Sequence, residues 1–169
     1  MKTLELLSLA TLVGSALHVY VTMLPAMLAN SSAVIFSGGP AIDMGIRFID
    51  SEPIFGRNKT TRGFLGGVLS GGLVGLVLSQ GSQGFIMAAG ALLGDLLGAF
   101  IKRRFRLEPG QSFPLLDQYD FVVGAIATAL LFGYPLDPSG CSIFMITIPV
   151  VHFGANYLAY RLGLKRVPW

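Results

Sequence analysis

Apolar runs, each bounded by charged or turn-forming residues, divide the chain into five stretches at about 6–29, 63–80, 84–101, 121–136 and 142–160. A helix rises about 1.5 Å per residue, so 18 residues reach about 27 Å against a bilayer core of about 30 Å. The pattern predicts an all-α integral membrane protein with about five transmembrane helices, the fourth the shortest. Pro25 marks a kink in the first span or its inner end.

The connectors are unequal. Segments 81–83 and 137–141 hold a few residues each, whereas 30–62 and 102–120 are long and charged. A helical hairpin separates the two long loops, so they share a side. Eleven Lys and Arg residues fall with these loops and the C-terminus, where Arg161, Lys165 and Arg166 stand, and Lys2 is alone opposite. The positive-inside rule then puts the N-terminus outside, the C-terminus in the cytoplasm and the polar site at the cytoplasmic side. A signal-peptide reading of the N-terminus conflicts with Glu5 and with the length of the run. The expectation is one transmembrane domain over 1–169.

Composition sharpens this picture. Of 169 residues 53% are hydrophobic and 12% charged, with a mean hydropathy of +0.68, whereas a soluble domain carries about 25% charged residues. Seven of the charges lie in 43–62 and eight in 95–120, so polar chemistry is gathered in two windows. The lone Cys141 excludes a disulfide scaffold. The net charge of +3 beside membrane spans is a topology signal and does not point to nucleic acid. Gly63, Gly67, Gly71 and Gly75 recur every four residues, as do Gly90, Gly94 and Gly98. Such stripes let helix backbones approach closely, and near the cytoplasmic end they also leave room for a bulky substrate.

An ionisable residue inside a span is costly and marks function by default. Asp95 serves either as the buried partner of a basic side chain from another helix or as a metal ligand or charge anchor facing a cavity. Asp117 and Asp120, three apart, share a helix face, and their hard oxygens suit magnesium, although two acids at a helix start also complement its dipole. The basic set is Arg57-Asn58-Lys59-Thr60-Thr61-Arg62 and Lys102-Arg103-Arg104, which fits phosphate binding as well as positive-inside anchoring. Gly56 to Thr60 lacks the first glycine and strand of a P-loop. His18 and His152 have no second His or Cys at ligand spacing, so each reads as an interior polar group. No serine or cysteine is placed as a nucleophile.

Taken in order, Asp43…Asp50…Phe55-Gly56…Lys59-Thr60…Arg62-Gly63, then Gly94-Asp95…Lys102-Arg103-Arg104…Pro109-Gly110…Asp117-Gln118-Tyr119-Asp120, the chain resembles the archaeal CDP-archaeol synthase family over about 43–124 and in its five-span layout. That family is related to the CDP-diacylglycerol synthases, whose signature Lys102-Arg103 and Asp117…Asp120 match. Gln118 stands where that signature has Arg, no Lys-Asp pair follows Arg103, and Ser51 replaces an expected Gly; the resemblance leaves Glu108 as the candidate for the missing acid.

The resemblance implies a cytidylyltransferase that joins CTP to 2,3-di-O-geranylgeranylglyceryl phosphate, an isoprenoid glycerol phosphate lipid, giving CDP-archaeol and pyrophosphate with magnesium. It implies a catalytic set of Asp95, Lys102, Asp117 and Asp120. Asp95, Asp117, Asp120 and Glu108 would hold magnesium, Lys59, Arg62, Lys102 and Arg103 the triphosphate, and Asn58 and Thr60 the nucleotide. The isoprenoid chains would lie in a lipid-open cleft beside the glycine-lined spans. The rival readings are the same chemistry on an ester lipid and, from a different class, a small membrane transporter.

Overall fold

The structure, a computed structural model, describes residues 2–164 and 167–168, with side chains from residue 7 onward. Lys165, Arg166 and the side chain of Lys2, which enter the sidedness argument, lie outside the described residues. Five helices follow one another: α1 (Lys2–Ile35), α2 (Thr61–Val77), α3 (Ser82–Arg104), α4 (Leu116–Leu131) and α5 (Pro138–Arg161). Among the described residues the extended structure is limited to two isolated antiparallel bridges, Ala41 with Thr60 and Arg47 with Pro53.

Helix α4 departs most from the sequence expectation, lying five residues earlier at both ends than the 121–136 run. Its polar first turn is helical because Asp117 Oδ2 accepts from the Phe113 amide at 2.9 Å and fixes the chain ahead of the apolar residues. Gly133, at a φ of +78° that favours glycine, turns the chain away after it. Helix α1 runs on through Pro25 to Ile35, so the proline ends nothing.

The glycine stripes set the packing. A Cβ on Gly63 would lie 2.8 Å from the Ala33 carbonyl, one on Gly67 2.7 Å from the Ala29 carbonyl, and one on Gly71 against that of Pro25. As α2 advances by four residues, its α1 neighbour recedes by four, so the helices are antiparallel. Along α3, Gly90 meets Gly124 and Thr128, Gly94 meets Gly124 and Asp120, and Gly98 meets Asp120, which makes α3 and α4 antiparallel too. Helix α5 runs parallel to α1, with Gly140 against Ser15 and the Thr147 and Tyr20 hydroxyls 2.5 Å apart. The stripes are thus filled by neighbouring helices, and the space beside α2 and α3 is confined to the end of the bundle where Phe64, Leu96 and Ala99 stand. Gly63 borders the cavity described below.

Phe121, Phe144, Met23, Met87, Val19, Val122 and Ile148 fill the core between α1, α3, α4 and α5. Each in-helix proline frees the carbonyl four residues earlier, and a side chain takes each one. Gln80 Nε2 donates to the Val21 carbonyl at 2.9 Å, which Pro25 leaves open. Tyr119 Oη donates to that of Met145 at 2.9 Å, which Pro149 leaves open. In lipid, where no water can substitute, this matters more than in a soluble core.

Three helical segments, Leu7–Ile35, Ser82–Arg104 and Pro138–Arg161, are long and apolar enough to cross a membrane. With 17 and 16 residues, α2 and α4 reach about 25 Å at 1.5 Å per residue, and their antiparallel packing carries them along α1 and α3. The antiparallel order brings the end of α1, the start of α2, the end of α3 and the start of α4 to one end of the bundle.

Candidate active site

The loop between α1 and α2 is organised by a buried carboxylate. Asp43 is 6% exposed and accepts from the amides of Gly45 at 3.1 Å, Phe55 at 2.9 Å and Gly56 at 2.8 Å. Burial alone would raise its pKa, but the amides of Gly56, Phe55 and Gly45 outweigh this and hold it below the ordinary carboxylate value. The Ile42 amide donates to the Lys59 carbonyl at 2.8 Å, and Thr60 caps α2 by accepting from the Gly63 amide at 3.1 Å.

Arg104 ties the loop to α3. Its guanidinium lies 4.8 Å from the Phe48 ring centre and 4.5 Å from that of Phe100. It pairs with Asp50 at 2.7 Å and donates to the Pro53 carbonyl at 2.7 Å. The backbone carrying Arg57, Asn58 and Lys59 is therefore held against the last turn of α3.

Two ion pairs cross the site. Lys59 Nζ lies 2.6 Å from both Asp95 carboxylate oxygens, and Lys102 Nζ 2.7 Å from Asp117 Oδ1. Burial by itself would lower the Lys59 pKa, yet Asp95, helped by Asp120 and Asp117, raises it above the ordinary lysine value. Asp95, half-buried, is thus both the partner of a basic side chain and the cavity-facing anchor that the sequence offered as alternatives. Asp120 makes no ion pair among the described residues. Its Oδ1 accepts from the Phe121 amide at 2.6 Å, and the rest of the carboxylate packs on Gly98.

These groups separate two adjoining cavities that share Lys59, Asp95 and Lys102. One, of about 890 Å³, is lined by Arg57, Asn58, Thr60 and Arg103. The other, of about 290 Å³, is lined by Asp117, Asp120, His152 and Asn156. Arg103 is 3% exposed, its Nε has no hydrogen-bond partner, and it makes no ion pair among the described residues. A buried guanidinium on a cavity wall, with its Nε unbonded, suits an anion, because an uncompensated charge there is costly.

Eight of the ten predicted residues line these cavities, Asp95, Asp117, Asp120, Lys59, Lys102, Arg103, Asn58 and Thr60, whereas Arg62 and Glu108 do not. Arg62 is exposed in the first turn of α2 and packs on Gly39, because the helical phase turns it away. Glu108 is exposed and borders neither cavity, since the chain turns at Arg106 with φ +56° and the Glu108 amide binds Gln111 Oε1 at 3.0 Å. No three His, Cys, Asp or Glu side chains among the described residues stand close enough to share a metal ion, Asp95 and Asp117 being held by lysines. His152 and Asn156 were not picked out as site residues. The signal available was a polar pair four apart in an otherwise apolar span.

Comparison with known proteins agrees with this geometry. The family model for CarS-like CDP-archaeol synthase matches residues 9–81 and 77–169. The CDP-archaeol synthase of Pyrococcus furiosus is 42% identical over 161 residues, covering 87% of this chain and 94% of that protein. That of Aeropyrum pernix is 37% identical, covering 93% and 94%. A solved structure, described as an intramembrane enzyme for archaeal membrane lipid biosynthesis, superposes with a TM-score of 0.79 at 34% identity, covering 83% of this chain and 94% of that one. The chain belongs to the CDP-archaeol synthase family and is a multi-pass membrane enzyme of the CTP-dependent nucleotidyltransferase class.

Proposed function

We propose that the protein transfers CMP from CTP to 2,3-di-O-geranylgeranylglyceryl phosphate, with the long loops and the site in the cytoplasm and the N-terminus outside. The observation that carries this is the buried Arg103 on the wall of the larger cavity, with Arg57 and Lys59, its Nε unbonded and its guanidinium in no ion pair among the described residues. This group of cations suits a triphosphate, Arg by its planar fork and Lys as a point charge. Asn58 stands at the rim to meet the nucleoside.

A phosphate oxygen of the lipid attacks the α-phosphorus of CTP in line. The new O–P bond forms as the bond to the bridging oxygen of the β-phosphate breaks, and pyrophosphate departs with that electron pair. No protein nucleophile is needed. The chain's part is to hold both phosphates in line and to neutralise the charge that builds on the leaving group, the work of Arg57, Arg103, Lys59 and Lys102.

Magnesium suits the hard oxygens of Asp95, Asp117 and Asp120, which border one cavity, but Lys59 and Lys102 hold the first two and the three do not stand close enough to share an ion; among the described residues Asp120 alone of them makes no ion pair. Asp120 would be its protein ligand, joined by Asp95 or Asp117 where the paired lysine turns to phosphate instead, with Glu108 and Arg62 left out of the site. Bound there, the ion would neutralise phosphate charge. The test is conversion of CTP and digeranylgeranylglyceryl phosphate to CDP-archaeol and pyrophosphate by purified protein, with and without magnesium and with phosphatidic acid as the competing acceptor. Conversion of the ether lipid that needs magnesium is expected, and failure to make any CDP-lipid would overturn the reading.

A further inference from the structure

Two polar side chains of α5 have no part in the reaction as described so far. His152 and Asn156 are four residues apart, so they share a face of the helix, and both line the 290 Å³ cavity with Asp117 and Asp120. The His152 ring stacks on Phe121 with ring centres 5.7 Å apart and planes at 27°, which seats it beside the residue that follows Asp120. Asn156 Nδ2 lies 3.3 Å from His152 Nδ1. Neighbouring positions on the same helix look outward, with Val150 75%, Phe153 56% and Leu158 59% exposed.

A double-chain lipid substrate must bring its phosphate to the polar junction while its chains stay in the bilayer. Helix α5 has the surface for both, a polar pair at the cavity and apolar residues beside it. The larger cavity, with Arg57 and Arg103, is supplied for the nucleotide. The smaller one holds three carboxylates, and a further lysine or arginine there would be captured by Asp120. An imidazole and an amide instead offer N–H donors to phosphate oxygens.

We propose that His152 and Asn156 form the acceptor subsite and bind the head phosphate of the lipid substrate. This rests on the proposed lipid-phosphate reaction. Each side chain contributes a charge-assisted hydrogen bond, so His152→Ala and Asn156→Leu each raise KM for the lipid phosphate roughly tenfold. His152→Gln, which keeps a donor, recovers part of the loss. Asn156→Asp is the most severe, since a carboxylate repels the phosphate.

The experiment uses the full chain in lipid nanodiscs. It compares KM for digeranylgeranylglyceryl phosphate at saturating CTP, the Kd of radiolabelled CTP without lipid, and thermal stability. The expected result is a raised lipid KM with unchanged CTP Kd and unchanged melting. A weakened CTP Kd, or lower stability and kcat with both KM values unchanged, assigns the pair to nucleotide binding or to packing on Phe121 and overturns the inference. Equilibrium binding of the radiolabelled lipid phosphate separates this inference from the reaction it rests on. If the wild type makes no CDP-lipid, the proposed function fails, and equal lipid binding by wild type and His152→Ala defeats the subsite independently.

Discussion

Single residues in the loop between α1 and α2 carry more of the site than their exposure suggests. Ser51 sits at φ +66°, a conformation costly for any residue with a Cβ. Ser51→Gly should therefore stabilise the protein by about 0.5–1 kcal/mol, read as a rise in its thermal midpoint with turnover unchanged. The Arg47 bond to the Ser51 carbonyl at 2.6 Å survives this change because it uses backbone. The lowered pKa of Asp43 means that its contribution to stability is present above the ordinary carboxylate value and is lost as pH falls through the lower folded value. The raised pKa of Lys59 works in the opposite sense. Its contribution is complete below the ordinary lysine value and disappears as pH rises through the higher folded one. Melting should thus be insensitive to these two groups across the neutral range. Asp43→Asn should flatten the acid limb and cost about 1–3 kcal/mol, since an amide cannot accept from three backbone N–H groups as a carboxylate does. An unchanged acid limb in this variant would remove Asp43 from the account.

At the scale of helices, close approach and orphaned carbonyls decide the architecture. A Cβ on Gly98 would lie 3.0 Å from Asp120 Cβ and Cγ, so Gly98→Ala should cost about 1–3 kcal/mol as overpacking and reduce turnover by displacing Asp120. Gly14, with nothing within 4 Å of its added Cβ, is the control. Gly14→Ala should be neutral or stabilising by up to about 1 kcal/mol, and equal losses at the two sites would contradict the packing account. Tyr119→Phe strands the Met145 carbonyl that Pro149 leaves open, at a cost of about 1–2 kcal/mol. Adding Pro149→Ala supplies the missing helical N–H, so the double variant should recover most of that loss in a thermal-unfolding cycle.

For the whole molecule, the antiparallel order gathers costly charge at one end and leaves the rest to lipid. Asp120→Asn removes the cavity carboxylate that makes no ion pair among the described residues, so turnover should fall at every magnesium concentration while folding persists. Wild-type turnover in that variant would defeat the metal assignment. The five-stretch pattern was legible in the sequence because hydrophobic runs are a local property, and so was the grouping of Asp95, Lys102, Asp117 and Asp120 beside the basic residues, because lipid confines charge to span ends. Sequence also carried the family motifs. Only the tertiary structure decided that Lys59 pairs with Asp95, 36 residues away, that Arg57 faces the cavity and Arg62 does not, that the glycine stripes are closed, and that His152 and Asn156 reach the acids. These depend on how each helix is rotated against its neighbours, and that rotation is fixed by close contacts such as Gly94 on Asp120 and Phe121 on His152, which no local pattern records.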